Sequence, residues 1–163
     1  MSIPVRYIPK SLSQKDTKKQ KKNILKSRKL YKQGIYFQRP KVKSFHSKPS
    51  GHVYKAEKYY GVSHIIPNNA LARKTKCSRN ALEKIVNKGR GAYYSSGSRP
   101  NQTAESWGRA RLASAITGGP ASTIDYGILY NDCSKDSPAL KMATRTCKQM
   151  KRCQKYTQKN RNP

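Results

Sequence analysis

Four cysteines (Cys77, Cys133, Cys147, Cys153) and three histidines (His46, His52, His64) are the residues of this chain best suited to holding a metal, because thiolate and imidazole are zinc's usual ligands. Their spacing argues against it. Cys147 and Cys153 stand six apart, no CxxC pair occurs, and His46 and His52 lie in a lysine-rich stretch that Pro40 and Pro49 keep extended. We therefore expect no metal, no cofactor and four ordinary reduced thiols. Catalysis needs a nucleophile, a base and an orienting group held together. The seven carboxylates are scattered through basic surroundings and no histidine has an evident partner, so neither an enzymatic reaction nor a small-molecule substrate is expected.

The chemistry that the residues do support is electrostatic. Thirty-six Lys and Arg against seven Asp and Glu leave the 163 residues with a formal charge of +29. Self-repulsion at that density calls for a polyanion or for an assembly that supplies counter-charge. The excess is uneven. From Thr17 to Ala56 there are thirteen basic residues and no acid, and from Ser137 to Pro163 eight more, again with no acid. Between Pro100 and Asp136 four acids outnumber three bases. The pattern reads as a basic N-terminal arm (1–61), a small and nearly neutral core (62–130) and a basic C-terminal helix and tail (131–163). The residues expected to meet a negatively charged partner are Lys18, Lys19, Lys21, Lys22, Arg28 and Lys29 in the first segment. Lys141, Arg145, Lys148, Arg152 and Lys155 are their counterparts in the last.

Only 34% of the chain is apolar, so its core is small for its length and its stability leans on partners. No stretch approaches the ~20 apolar residues of a membrane span, although an anionic inner-membrane surface would suit the charge. The first ten residues lack the apolar run of a secretory signal, so the protein is expected to be made and kept in the cytosol or in something assembled there.

The elements that must position these residues are mainly helical. Ser13 and Asp16 form a capping-box start for a helix reaching Gln33, with Gly34 as its stop. Its apolar content is thin, so it needs a surface to lie on. Ile35 to Ser50 reads as extended chain or an edge strand. Val53 to Tyr60 forms a short helix closed by Gly61. Leu71 to Asn87 reads as two helices joined at Lys76 to Ser78, with Ser78 capping the second. This hairpin resembles the helix-turn-helix of bacterial repressors, which would turn Arg79, Asn80 and Lys84 towards a DNA groove. Lys76 departs from the motif, which has Gly at that turn. A plain helical hairpin is the alternative.

After Gly89 and Gly91, Tyr93 to Thr103 reads as a rigid loop, either a phosphate cradle before a helix or a structural loop held by Arg99 and Asn101. The next helix, Thr103 to Thr117, is lined with small residues and stopped at Gly118 to Pro120. We expect Tyr93, Tyr94, Arg99 and Trp107 to hold the core, with Trp107 as its anchor. Ser137 caps a last helix running to about Thr157. Leu140, Ala143, Cys147 and Met150 share its apolar face, and Lys141, Arg145, Lys148, Arg152 and Lys155 the opposite one.

The segment Gly89-Arg90-Gly91-Ala92-Tyr93-Tyr94-Ser95-Ser96-Gly97-Ser98-Arg99-Pro100-Asn101-Gln102-Thr103, followed by Ser106-Trp107-Gly108-Arg109-Ala110-Arg111-Leu112-Ala113-Ser114, resembles the signature of a family of small basic proteins of unknown function encoded by giant nucleocytoplasmic DNA viruses. The similarity runs over roughly residues 15 to 129 and leaves out the C-terminal helix. It implies a setting, a large icosahedral virion around double-stranded DNA, and no catalytic residue. In that setting the favoured expectation is a structural virion protein, a minor capsid protein that ties capsomers together on the inner side of the shell. Its partners would be other capsid proteins, major and minor. The alternative is a protein that binds and condenses double-stranded DNA.

Overall fold

The computed structural model describes residues 2–157, and these form a mainly α fold in which two compact units are distinguishable, 2–48 with 88–108 and 49–87 with 109–157. The units do not follow the three consecutive segments that the charge pattern suggests. Most of the basic N-terminal segment is folded with the Tyr-rich signature.

In the first unit, a 3-10 turn, Val5–Tyr7, buries Tyr7 and leads to α1, Gln14–Lys32. Ser13 caps α1 by accepting from the Asp16 backbone N–H at 3.1 Å, as expected. The reciprocal half of the capping box is taken over by a distant residue. The Ser13 N–H donates to Ser44 Oγ at 3.0 Å, and the Asp16 carboxylate accepts from both the N–H (2.9 Å) and the Oγ (2.6 Å) of Ser44. Those two hydrogen bonds from Ser44 hold the Asp16 carboxyl below the usual carboxylate range.

The side of α1 that packs is largely polar: Asp16, Gln20, Ile24 and Ser27 are buried. Gln20 donates to the carbonyls of Tyr7 and Ser98, both at 3.2 Å, and Ser27 Oγ donates to Tyr94 O at 2.9 Å. A helix poor in apolar residues thus docks through hydrogen bonds instead.

Residues 35–48 form no strand. The chain is extended, but its backbone groups find side chains rather than a neighbouring strand. Arg39 N–H donates to the Tyr93 hydroxyl, Val42 N–H donates to Asn101 Oδ1 at 2.8 Å, and Asn101 Nδ2 donates to Val42 O and Phe45 O. Gly97, at φ 127°, is required by packing as well as by backbone: a Cβ there would lie 3.1 Å from Ile24 and 3.2 Å from Tyr7.

The second unit holds a core cluster of seventeen buried residues that includes Leu71, Leu82, Ile85, Leu112, Ile116 and Leu129. It is built from α2 (Gly51–Tyr60), α3 (Asn69–Thr75), the start of α4 (Arg79–Ser95) and the end of α5 (Ala104–Ile116). The helices α6 (Pro120–Ile124), α7 (Tyr126–Asp132), α8 (Pro138–Gln149) and α9 (Gln154–Thr157) complete it. The expected caps are present at Ser78 and Ser137, and Ser50, which the sequence pattern did not single out, caps α2 two residues earlier than the expected start at Val53. The small residues Ala113 and Ala115 are fully buried in α5, consistent with close approach of neighbouring elements.

Several expectations are corrected. Gly89 and Gly91 do not end α4, which continues through Tyr93 and Tyr94 to Ser95. Neither glycine takes a positive φ, and a Cβ at Gly91 would meet the Tyr31 hydroxyl at 3.5 Å, an ordinary contact, so both sit in regular helical backbone and not in a turn. The last helix stops at Gln149, because Lys151 (φ 51°) and Cys153 (φ 60°) take left-handed backbone and a separate short α9 follows. The cysteines are not free thiols: Cys77 pairs with Cys133 and Cys147 with Cys153. Cys77 and Cys133 face each other in an isolated antiparallel bridge flanked by Ser78 N–H to Asp132 O and Ser134 N–H to Lys76 O, both 2.9 Å. Sequence spacing alone could not bring residues fifty-six apart together.

Candidate polyanion-binding surface

On α1 the spacing separates two faces cleanly. Lys15, Lys18, Lys19, Lys21, Lys22, Lys26, Lys29 and Lys32 are all exposed and occupy the arc opposite the buried stripe. At 1.5 Å per residue they span about 25 Å. Lys15, Lys18, Lys21, Lys22, Lys29 and Lys32 make no ion pair among the described residues. Lys15, Lys26 and Lys32 extend the expected set and share its face on a helical wheel. Arg28 leaves it: its guanidinium turns inward and donates to Ser96 O at 2.9 Å and to Ser2 O at 3.4 Å.

On α8, Lys141, Arg145 and Lys148 are exposed, while Ala143 and Cys147 are buried on the other side. Arg152 and Lys155 are exposed too but lie beyond the end of α8, so they do not continue its basic face. Met150 is 44% exposed and does not pack as expected. The helix ends one residue before it.

At the hairpin, Lys76 adopts φ 55°, the left-handed conformation that the helix-turn-helix turn requires, at a position where glycine is usual. Arg79, Asn80 and Lys84 are exposed on α4. Arg79 pairs with Glu83 at 3.4 Å and Lys84 with Asp132 at 3.3 Å, so two of the three carry a neighbouring carboxylate.

The residues expected to hold the core divide. Tyr93 is 1% exposed and central to the first unit, and Tyr94 is half-buried beside it, with ring centroids 5.0 Å apart. Arg99 is exposed. Its expected role belongs to Arg39, whose guanidinium donates to Tyr93 O (2.6 Å), Ser98 Oγ (2.7 Å) and Ser27 Oγ (3.1 Å) and stacks 3.8 Å from the centre of the Tyr93 ring. Burial pushes the Arg39 guanidinium below its ordinary pKa. No composition signal marked it among thirteen basic residues. Trp107 is half-buried, packs edge-on against Tyr7 at 5.8 Å and lies outside the seventeen-residue cluster. The loop before α5 is therefore structural, held by Asn101 and Arg39.

The acids are spent internally. Asp125 forms a two-pronged pair with Arg111 at 2.7 and 2.8 Å, and Glu105 pairs with Arg90. Asp136 pairs with Lys76, and Asp16 is held by Ser44. Of the seven carboxylates, Glu57 alone lacks such a side-chain contact among the described residues. The described residues contain no group of three or more metal-ligating side chains, and no helix among them is long and apolar enough to cross a membrane.

Fold and surface together define a mainly α, disulfide-linked basic protein whose exposed cations far outnumber its carboxylates. A family model described as a family of unknown function, DUF5824, matches residues 4–127, and the chain belongs to that family. No curated protein and no solved structure matches it.

Proposed function

We propose that this chain is a structural, non-catalytic component of a large icosahedral DNA virus particle: a minor capsid protein on the inner side of the shell, attached through its lysine faces to acidic surfaces. The observation that supports this most is the division of charge. Six of the seven carboxylates are engaged by contacts among the described residues, while Lys15, Lys18, Lys21, Lys22, Lys29 and Lys32, spread over ~25 Å of α1, face outward without an ion pair among those residues. The viral setting comes from the resemblance of the Tyr-rich signature. Docking would involve folded units, because the N-terminal segment packs on the signature instead of trailing as a free arm.

Purified particles provide the test. After nuclease treatment and a high-salt wash the protein should remain with the empty shells. Its release together with the genome would sink the capsid reading, and its absence from washed particles would sink the virion reading altogether. A second reading, binding of double-stranded DNA, is favoured by the left-handed turn at Lys76. It predicts affinity that falls with log[salt] at a slope of ~0.9 per phosphate neutralised. If the hairpin reads bases, Arg79→Ala, Asn80→Ala and Lys84→Ala together should erase any sequence preference.

A further inference from the structure

Gly34 (φ 77°) closes α1 with a double turn, its N–H donating to Tyr31 O at 3.0 Å and the Ile35 N–H donating to Leu30 O at 2.9 Å. This reverses the chain and returns Tyr36 to the side of Tyr31. From α4, Tyr94 reaches the same place, drawn in by the Ser27 bond to its carbonyl. Three rings from three segments thus meet. Tyr36 lies 6.0 Å from Tyr31 and 5.1 Å from Tyr94, and Tyr31 and Tyr94 are within 9° of parallel at 6.3 Å.

Tyr36 is nevertheless 67% exposed, and the adjoining Ile35 is 49% exposed. An aromatic ring already fixed by its neighbours and open to solvent has paid most of the ordering entropy that binding would cost. The surroundings are cationic: Lys29 and Lys32 stand exposed on the last turn of α1, and Lys26 Nζ sits 4.5 Å over the ring of Phe37, next to Tyr36. Glu105, whose charge acts on Tyr94, is paired with Arg90.

We infer that the Tyr31–Tyr36–Tyr94 cluster is a stacking platform for single-stranded nucleic acid. Unpaired bases lie on the exposed ring of Tyr36, flanked by the half-buried Tyr31 and Tyr94, and the backbone phosphates meet the lysines of α1. Fixed aromatic rings set among lysines are the combination by which single strands are held without sequence preference. A duplex keeps its base faces inside the stack and offers only phosphates. An acidic peptide would satisfy the lysines but leave the tyrosine faces without a π partner. The inference shares with the reading above only the need for a polyanion and does not depend on the capsid.

Fluorescence anisotropy of the full chain with a labelled oligothymidylate tests it. The comparisons are an abasic oligonucleotide and a duplex of equal length. Wild type should prefer the oligothymidylate to the abasic strand. Tyr36→Ala should weaken the oligothymidylate complex about ten-fold, with its salt slope and its abasic and duplex binding unchanged, and Tyr36→Phe should restore it. Circular dichroism of Tyr36→Ala checks that the fold survives. Equal binding by Tyr36→Ala and wild type, or equal binding of oligothymidylate and abasic strand, overturns the platform while leaving polyanion binding intact. Failure of wild type to bind any of the three removes both.

Discussion

Single residues in this protein act through positions that their types alone do not advertise. Arg39 is one cation among thirteen between Thr17 and Ala56, yet it is the one that joins α1, α4 and the signature loop. Its flat fork serves three acceptors and stacks on Tyr93, which an ammonium cannot reproduce. Arg39→Lys should therefore cost about 2 kcal/mol of stability by chemical denaturation, whereas Lys21→Ala, on the exposed face, should cost almost nothing. Tyr60 donates its hydroxyl to Ile116 O from a site where burial, and then the neighbouring Tyr59, raise its pKa above the ordinary 10.0. A raised folded-state pKa contributes stability below pH 10 that is lost as pH climbs past it. Tyr60→Phe should lose about 1 kcal/mol at neutral pH and show a shallower decline above pH 10 than wild type. At the surface, hydrogen bonds from Lys76 and then Ser134 bring the Asp136 carboxyl from 3.8 down to about 2. Its contribution is present above pH 4 and fades as pH falls towards 2. An NMR titration should find a lowered pKa in wild type and one raised towards, but still below, the ordinary value in Lys76→Ala, where the Ser134 hydrogen bond remains.

At the level of elements, the two disulfides set how the second unit is closed. The Cys77–Cys133 link joins the α3–α4 turn to the end of α7 across a separation of 56 residues, while Cys147–Cys153 ties the end of α8 to the start of α9 across six. Loop-closure entropy grows with the logarithm of loop length, giving about 4 kcal/mol for the first and about 2 kcal/mol for the second. Cys133→Ser should accordingly lower the denaturation midpoint more than Cys153→Ser. The reverse order would mean that native packing, not chain entropy, dominates both. The amphipathic pattern that α8 shows through Cys147 was plain in the sequence. Its early end was not, because the left-handed backbone at Lys151 and Cys153 falls on residues that do not favour it, beside a Cys147–Cys153 link that spacing did not reveal. The extension of α4 through Gly89 and Gly91 was hidden for a related reason. Glycine usually ends a helix, and only the folded backbone shows that Gly89 and Gly91 continue this one without a positive φ.

Across the whole molecule, a formal charge of +29 does not prevent the N-terminal basic segment from folding. Its lysines are arrayed on one side of α1, and its polar stripe is matched on the other. Native-state hydrogen exchange on the free protein should thus show the amides of Ile24 to Ser27 protected as strongly as those of α4 near Tyr93. Exchange at the rate of an unstructured chain would restore the picture of a free arm that folds on contact. The same arrangement makes binding to any polyanion steeply salt-dependent, because no counter-ion within the described part of the protein competes for Lys15, Lys18, Lys21 or Lys22.

The sequence by itself determined the helical class, the caps at Ser13, Ser78 and Ser137, the turn at Gly34 and the lysine face of α1. Each of these follows from local spacing, backbone preference or charge, which are properties of contiguous residues. Tertiary structure alone decided that Arg39 and not Arg99 holds the signature loop and that Trp107 lies at the edge of the first unit. It alone paired the cysteines and brought Tyr31, Tyr36 and Tyr94 to one surface. These outcomes depend on which distant groups satisfy a buried donor or fill the space over a glycine, and residue order does not encode that locally.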